Sequence, residues 1–400
     1  MYHYILELLI LPVVVTGMWF YLLLLHGGFW RARPRVELER DADAGLVRHP
    51  VVAAVVPARN EAESIDSCLK SLLAQDYPGT LQVILVDDGS EDGTAEMARQ
   101  AVRAMNADER LEVIRGAPLP RGWTGKLWAV AQGVQKAETR APDYLWLTDA
   151  DIAHDASELH RLVAIAETQD RDLVSLMVRL RCESIWERLL IPAFVFFFQM
   201  LYPFPWANDE TKRTAAAAGG SMLVRRTALR SAGGIEAIKG AVIDDCTLAR
   251  NVKTRGKIWR GLTAHTSSLR RYETLSEIWN MVVRSAYTQL GYSPPLLALC
   301  VAGLVVVFAL PAATAVHGAI AGNAGEFALG AGALAMMAGA YLPTLRLYGR
   351  SPVNAAFLPL AALLYCAMTV DSAWRHHRGK GGGWKGRSYG PAHRAAADNG

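Results

Sequence analysis

The sequence predicts an α/β domain with a mostly parallel sheet, joined to an N-terminal transmembrane helix and a C-terminal transmembrane helical region. Three observations carry this prediction. From residue 51 onward, apolar β-branched runs alternate with helically spaced segments, the pattern of βαβ units whose sheet is covered on both faces. The apolar residues, 52% of the 400, concentrate at the two ends, in runs long enough to cross a bilayer. Three acidic motifs, Asp87-Asp88, Asp149-Ala150-Asp151 and Asp244-Asp245, follow one another through the middle.

Residues 5–25 are apolar apart from Glu7, Thr16 and small residues, and Arg31, Arg33 and Arg35 come next. The basic residues follow the apolar run instead of preceding it, and no Ala-x-Ala-like site lies just downstream. Residues 1–26 therefore read as an uncleaved anchor rather than a signal peptide, and 27–50 as a basic linker. The α/β domain spans 51–270. Strands are expected at 51–56, 81–86, 111–115 and 144–147, helices at 65–74, 94–105 and 126–137, and a further helix capped by Ser157. A strand-like run lies at 222–224. Residues 186–206 are rich in Phe and carry Pro192, Pro203 and Pro205. A crossing there would put the third acidic motif on the far side of the membrane, so an interfacial helix is expected, with Trp186 and Trp206 at headgroup depth. A juxtamembrane helix follows at 271–293. The runs 294–316, 327–345 and 353–370 supply two to three spans within 294–371, and 372–400 is a basic, Gly-rich tail.

Lys and Arg set the orientation. Arg31, Arg33 and Arg35, with Arg270, Arg271 and Arg284, put the α/β domain in the cytoplasm, and the loop 317–326 has neither Lys nor Arg. Arg346 and Arg350 fall inside. The basic tail also belongs inside, whereas three spans would carry it outside, so the span count and the tail pull in opposite directions. The net charge of +4 is modest, and the basic residues cluster beside the apolar runs. They match lipid headgroups and not a nucleic-acid face. Five cysteines with no Cys-x-x-Cys pair argue against a disulfide framework or a zinc site.

The first strand ends in Pro57-Ala58-Arg59-Asn60-Glu61 and the second in Asp87-Asp88-Gly89-Ser90. Ligands bind outside the carboxyl ends of strands in open α/β sheets, so both segments meet in one crevice. An Asp there accepts hydrogen bonds from a base or ribose, or simply caps the next helix. No Gly-x-Gly-x-x-Gly follows either strand, which leaves a dinucleotide-binding site poorly supported. Asp149 and Asp151 emerge at the end of the fourth strand. Carboxylates placed there without a fixed basic neighbour hold a hard cation such as Mg²⁺ or Mn²⁺, and the cation holds phosphate; solvated turn acids are the plainer alternative.

These serial motifs resemble those of family 2 glycosyltransferases, over roughly residues 50 to 290. The resemblance implies the GT-A fold, a Rossmann-like α/β architecture, and a nucleotide-diphospho sugar donor. The stretch Gly122-Trp123-Thr124-Gly125-Lys126-Leu127-Trp128-Ala129, with Trp384-Lys385-Gly386-Arg387 and the terminal spans, is similar to the hopene-associated glycosyltransferases of bacterial hopanoid gene clusters. Ceramide and carotenoid glycosyltransferases are more distantly similar. On this resemblance Pro57, Arg59, Glu61, Asp87, Asp88, Lys126 and Asp149 bind a donor, expected to be UDP-linked. Asp151 is the principal metal ligand, with Asp149 beside it. Gly220, Ser221 and Asp244 lie on the acceptor side. Ile243-Asp244-Asp245-Cys246-Thr247-Leu248 resembles the Glu-Asp-x-x-Leu of inverting members, with Asp244 in place of Glu, and makes Asp245 the catalytic base; a helix N-terminus is the plainer reading of the same pair.

Processive synthases of the family carry Gln-x-x-Arg-Trp, from which Met281-Val282-Val283-Arg284-Ser285 departs. Arg270, Arg271 and Arg284 are left to contact diphosphate or lipid headgroups. The expected activity is transfer of one sugar to a lipid hydroxyl at the bacterial inner membrane, with a place in hopanoid biosynthesis. A polyprenyl-phosphate sugar transferase and a nucleotidyltransferase on a similar fold are the alternatives.

Overall fold

The computed structural model describes residues 2–40, 46–107, 109–379, 383–384 and 387–388, with side chains between Ile10 and Gly379. The chain divides into two units. Arg33–Arg181 and Trp206–Arg271 belong to an α/β unit, and Met1–Ala32, Cys182–Pro205 and Tyr272–Gly381 to a helical unit.

The α/β unit is built on β1 (Val52–Ala58), β2 (Leu81–Asp87), β3 (Leu111–Arg115), β4 (Tyr144–Leu147), β5 (Ile152–Ala153), β6 (Leu173–Arg179), β7 (Met222–Arg225) and β8 (Ile258–Ser268). They form one sheet in the order β3-β2-β1-β4-β7-β6-β8-β5. The half that holds β3, β2, β1 and β4 is parallel, as expected. Beyond it the sheet is mixed: β7 runs antiparallel to both β4 and β6, β6 and β8 are parallel, and β5 closes the edge antiparallel to β8.

Alternate residues of β1 enter two cores. Ala54 and Val56 pack on one face with Leu69, Leu72 and Trp146. Ala53 and Val55 pack on the other with Leu127, Val130 and Leu147. Helix Gly125–Glu138 lies close on the sheet because residue 133 is glycine: a Cβ there would stand 2.4 Å from Val55 Cγ1. Helix Glu158–Thr168 starts at the expected place, but Ser157 does not cap it; its hydroxyl donates to Asp155 Oδ1 at 2.6 Å. Part of the expected linker is integral to this unit. Arg35 bridges to Leu262, Val36 is buried, and the Glu37 carboxylate accepts from Thr263 Oγ1 at 2.5 Å and Ala264 N at 2.8 Å.

The helical unit contains Tyr2–Leu24, Ile185–Leu201, Leu275–Val283, Ala286–Gln289 and three helices long and apolar enough to cross a membrane, Pro294–Ile320, Ala324–Leu347 and Pro352–His377. Backbone contact between the first two spans requires glycine, since a Cβ on Gly330 would lie 2.4 Å from Ala315 N; small residues at such crossings are how membrane helices gain contact. The Phe-rich segment differs from expectation. Its helix ends at Leu201, Trp206 belongs to the α/β unit, and Leu190, Ala193 and Phe196 are fully buried in one core with Phe308 and Tyr341 of the spans. A capping box of Ser184 and Glu187 starts it. In the tail, Gly383–Trp384 pairs antiparallel with Arg387–Ser388, while Lys380, Lys385 and Gly386 lie outside the described residues.

Candidate active site

The first two strand ends are zipped together, as their shared position at the carboxyl edge requires. Arg59 Nη1 donates to the carbonyls of Asp88 at 2.5 Å and Gly89 at 3.4 Å, and lies 3.8 Å from Asp88 Oδ2. Asn60 N donates to Ser90 Oγ at 3.0 Å, Glu91 N to Asn60 Oδ1 at 2.9 Å, and Glu61 N to Thr94 Oγ1 at 2.9 Å. Asp87 Oδ1 accepts from Ser90 N at 3.0 Å, and Asp88 is buried. Pro57 is a buried residue of β1, in register with Val86.

The second and third acidic motifs meet at Lys126. This residue stands in the first turn of helix Gly125–Glu138, whose Thr124 side chain caps Leu127 N. Its Nζ lies 2.9 Å from Asp149 Oδ1 and 3.1 Å from Asp244 Oδ2. Asp245 joins from the first turn of helix Asp244–Lys253. Its Oδ2 accepts from Gly219 N at 3.0 Å and its Oδ1 from Cys246 N at 2.7 Å. Gly219 is the junction: a Cβ there would lie 3.2 Å from Lys126 Nζ and 3.8 Å from both Asp149 Oδ2 and Asp245 Oδ2. A small open cleft begins here, with Lys126, Asp149 and Asp244 on its polar wall and Leu127, Val130 and Met222 among its apolar lining.

The electrostatics follow from this crowding. Burial would lower the Lys126 pKa, but Asp149, Asp244 and Asp245 together raise it above its ordinary value, so the ammonium stays charged. Burial pushes Asp149 up against the opposing pull of Lys126; with 35% of its side chain exposed, water screens part of that effect. Burial, and then Asp244, raise Asp245 above the usual carboxylate range.

Asp151 is held separately. Arg270, just past the end of β8, donates from Nε to Asp151 Oδ2 at 2.7 Å and from Nη2 to Glu61 Oε1 at 3.0 Å. Arg270 thereby links the first motif to the second, a connection the sequence did not reveal. Both carboxylates of the Asp149-Ala150-Asp151 pair thus have a fixed basic neighbour, contrary to the premise on which a bare cation site was expected.

The residues present still fit a hard cation. Glu61, Asp149, Asp151, Asp244 and Asp245 share two cations, Lys126 and Arg270, which leaves three negative charges uncompensated among these seven groups when all are ionised. The donor set is all oxygen, as Mg²⁺ and Mn²⁺ prefer. Among the described residues no three metal-binding side chains form a ready cage, so such an ion needs oxygens from its ligand as well.

Other expected site residues fall elsewhere. Ser221 is fully buried, its hydroxyl donating to Glu158 Oε1 at 2.6 Å and accepting from Trp146 Nε1 at 2.9 Å. It cannot line an acceptor surface. Gly220 packs against Val178, and its carbonyl accepts from Thr148 Oγ1 at 2.8 Å. Arg271 is exposed in the α/β unit, and Arg284 is exposed in the helical unit, at the end of helix Leu275–Val283. Gly219, by contrast, was not among the expected site residues, yet it stands where Lys126, Asp149 and Asp245 meet.

The Glycosyl transferase family 2 model matches residues 53–233. Over 52 residues the chain is 48% identical to glycosyltransferase AglE of Haloferax volcanii, covering 13% of this chain and 17% of that one. Over 139 residues it is 32% identical to the undecaprenyl-phosphate 4-deoxy-4-formamido-L-arabinose transferase of Pseudomonas savastanoi pv. phaseolicola, covering 34% of this chain and 38% of that one. The chain spans less than half the length of these curated relatives. Among solved structures, the mannosyltransferase PcManGT from Pyrobaculum calidifontis, in complex with GDP-Man and Mn²⁺, is alike in fold, with a TM-score of 0.52 at 18% identity, over 92% of this chain and 99% of that chain. The chain thus carries a family 2 glycosyltransferase domain of GT-A-like fold.

Proposed function

We propose that this chain moves a sugar, with inversion, from a nucleotide-diphospho sugar to a hydroxyl of a lipid at the cytoplasmic face of a bacterial inner membrane. The observation that carries the reading is the junction at Gly219, around which Lys126, Asp149 and Asp245 all lie within 4 Å of one point. A base and a phosphate-binding cation beside one another are what glycosyl transfer from a diphosphate needs.

On this reading the crevice formed by Arg59, Asp87 and Asp88 takes the nucleoside, expected to be uridine. Lys126, held charged by its carboxylate neighbours, is a point charge for the departing diphosphate. Asp245 takes the proton from the acceptor hydroxyl as its oxygen attacks the anomeric carbon. The bond from that carbon to the diphosphate oxygen breaks, and the nucleoside diphosphate leaves with its electron pair. The raised pKa of Asp245 makes it a better base than an ordinary Asp. Mg²⁺ or Mn²⁺ at Asp151 and Asp149 would supply charge neutralisation on the leaving group; the Mn²⁺ in the mannosyltransferase complex supports this.

The lipid acceptor rests on the three helices able to span a membrane in the same chain. A second reading, a polyprenyl-phosphate acceptor, is favoured by the undecaprenyl-phosphate relatives. The two differ chemically. A phosphate is already a nucleophilic anion and needs no base, and surplus carboxylate repels it, so Asp245 favours a hydroxyl. Membranes bearing the protein, incubated with labelled UDP- and GDP-hexoses and Mn²⁺, test both. A labelled lipid stable to mild acid supports the hydroxyl reading, and addition of a hopanoid tests that acceptor. An acid-labile lipid supports the phosphate reading, since glycosyl phosphates hydrolyse readily. No labelled lipid from any donor overturns both.

A further inference from the structure

The geometry points to Glu158 as a positioning residue, a buried hub that holds three active-site segments in register with one another. This rests on the proposed transfer reaction for its kinetic consequence, but not for its structural one. Glu158 is 2% exposed, at the start of helix Glu158–Thr168, where the helix dipole favours a carboxylate.

Each oxygen of Glu158 is anchored by a different part of the chain. Oε1 accepts from Ser221 Oγ at 2.6 Å, and Ser221 lies two residues beyond Gly219, whose amide holds Asp245. Oε2 accepts from Thr266 Oγ1, four residues before Arg270. Oε2 also meets His154 Nδ1 at 3.0 Å, and His154 Nε2 lies 2.9 Å from Thr148 Oγ1, the residue before Asp149. Thr148 in turn donates to Gly220 O at 2.8 Å. One carboxylate therefore reaches the segment of Asp149 and Asp151, the Gly219 junction and the Arg270 segment through one side chain each, or two in the case of Asp149. His154, Ser221, Thr266 and Thr148 are all buried.

A network of this kind holds its members only while every donor has its acceptor. Glutamine at residue 158 keeps the shape but puts an NH₂ where an oxygen now accepts, facing either Ser221 or the Thr266 and His154 pair. At least one segment then loses its anchor. A drift of about 1 Å at reacting groups can cost about 10²-fold in rate, whereas the nucleotide crevice keeps its own zip of bonds between 59–62 and 88–94. The network thus acts on turnover more than on donor binding.

Amide hydrogen exchange on the purified full chain in detergent, wild type against Glu158→Gln, reads the hub without any substrate. The expected result is faster exchange in 219–222, in 149–154 together with 266–270, or in all three, according to which oxygen the NH₂ replaces, with 59–62 and 88–94 unchanged. Any other pattern, or no faster exchange, overturns the hub. Kinetics at a temperature where both proteins are fully folded reads the consequence: kcat should fall about tenfold or more while the donor KM moves less than about threefold. An unchanged kcat, or a loss in KM alone, overturns the positioning role. If Glu158→Gln does not fold, Thr266→Val removes one spoke, and only 266–270 and the Asp155 amide, which donates to Thr266 Oγ1 at 3.1 Å, should then exchange faster; spread to 219–222 and 149–154 would overturn the separate-spoke arrangement. If the wild type turns over no donor, the functional reading fails while exchange still decides the hub.

Discussion

Two cations touch the acidic pair, and their surroundings differ. Lys126 stands in the first turn of a helix, its side chain 23% exposed, between Asp149 and Asp244 and with Asp245 beside them. Arg270 follows the end of a strand, its side chain 37% exposed, between Asp151 and Glu61. Each bridges two carboxylates, yet only the Lys126 side contains a third carboxylate raised in pKa and held by backbone amides. A charge fixed in advance serves a transition state, and a charge that can trade its partners serves binding. The Lys126 side should therefore control kcat and the Arg270 side the donor KM.

The largest break in this contrast is Asp245→Asn. General-base catalysis is worth roughly 10² to 10⁴-fold, and transfer to lipid should fall by that much with donor binding retained. Because both Asp245 oxygens accept backbone N–H groups, the amide also points a donor at one of them, which costs about 1 kcal/mol of stability; a thermal melt separates that from lost chemistry. Equal transfer by mutant and wild type would remove Asp245 from the reaction. Next comes Lys126→Met, expected to lower kcat by roughly 10² to 10³-fold, the size of losing one preorganised stabilising group. A loss confined to KM would make Lys126 equivalent to Arg270 and erase the contrast.

The elements that carry the acidic groups were legible in the sequence, but the pairing of each cation was not. The strands carrying Asp87, Asp88, Asp149 and Asp151 announce themselves through apolar runs, and the parallel half of the sheet follows from their alternation with helices. The mixed half does not, because a four-residue run such as Met222–Arg225 gives no direction, and β7 is antiparallel only through long-range pairing with β4 and β6. Asp245 could be placed by motif, but the bridge from Arg270 to Glu61 spans 209 residues and has no local signal. Ser221 misled for a related reason. The family resemblance put it on the acceptor side, whereas its burial depends on Glu158, 63 residues away. The i,i+4 spacing of His154 and Glu158 was the one available hint of that network.

The Arg270 side predicts a smaller effect. Arg270→Gln removes a half-exposed positive charge beside the proposed donor site, an effect of about 1 kcal/mol or less for a partly screened charge, so the donor KM should rise about fivefold with kcat nearly unchanged. The rise should shrink as salt is added, since salt already weakens the wild-type contact. A fall in kcat as large as that of Lys126→Met would mean that Arg270 is preorganised after all.

The smallest effect is a split between activity and stability with pH. Burial and Asp244 raise the folded-state pKa of Asp245 above that of the unfolded chain. Such a group favours the folded state when protonated, and its contribution is complete below the unfolded value of about 3.9 and lost as pH rises through the folded value. In the window between the two, mild acidification should therefore stabilise the domain through Asp245 while it removes the base and lowers kcat/KM. Asp245→Asn, which cannot titrate, should abolish this contribution, so its melting temperature relative to wild type should improve as pH rises through that window. Thermal melts of both proteins across the acid range check the sign: parallel curves would place the Asp245 pKa at an ordinary value, and with it the special environment that separates the Lys126 side from the Arg270 side.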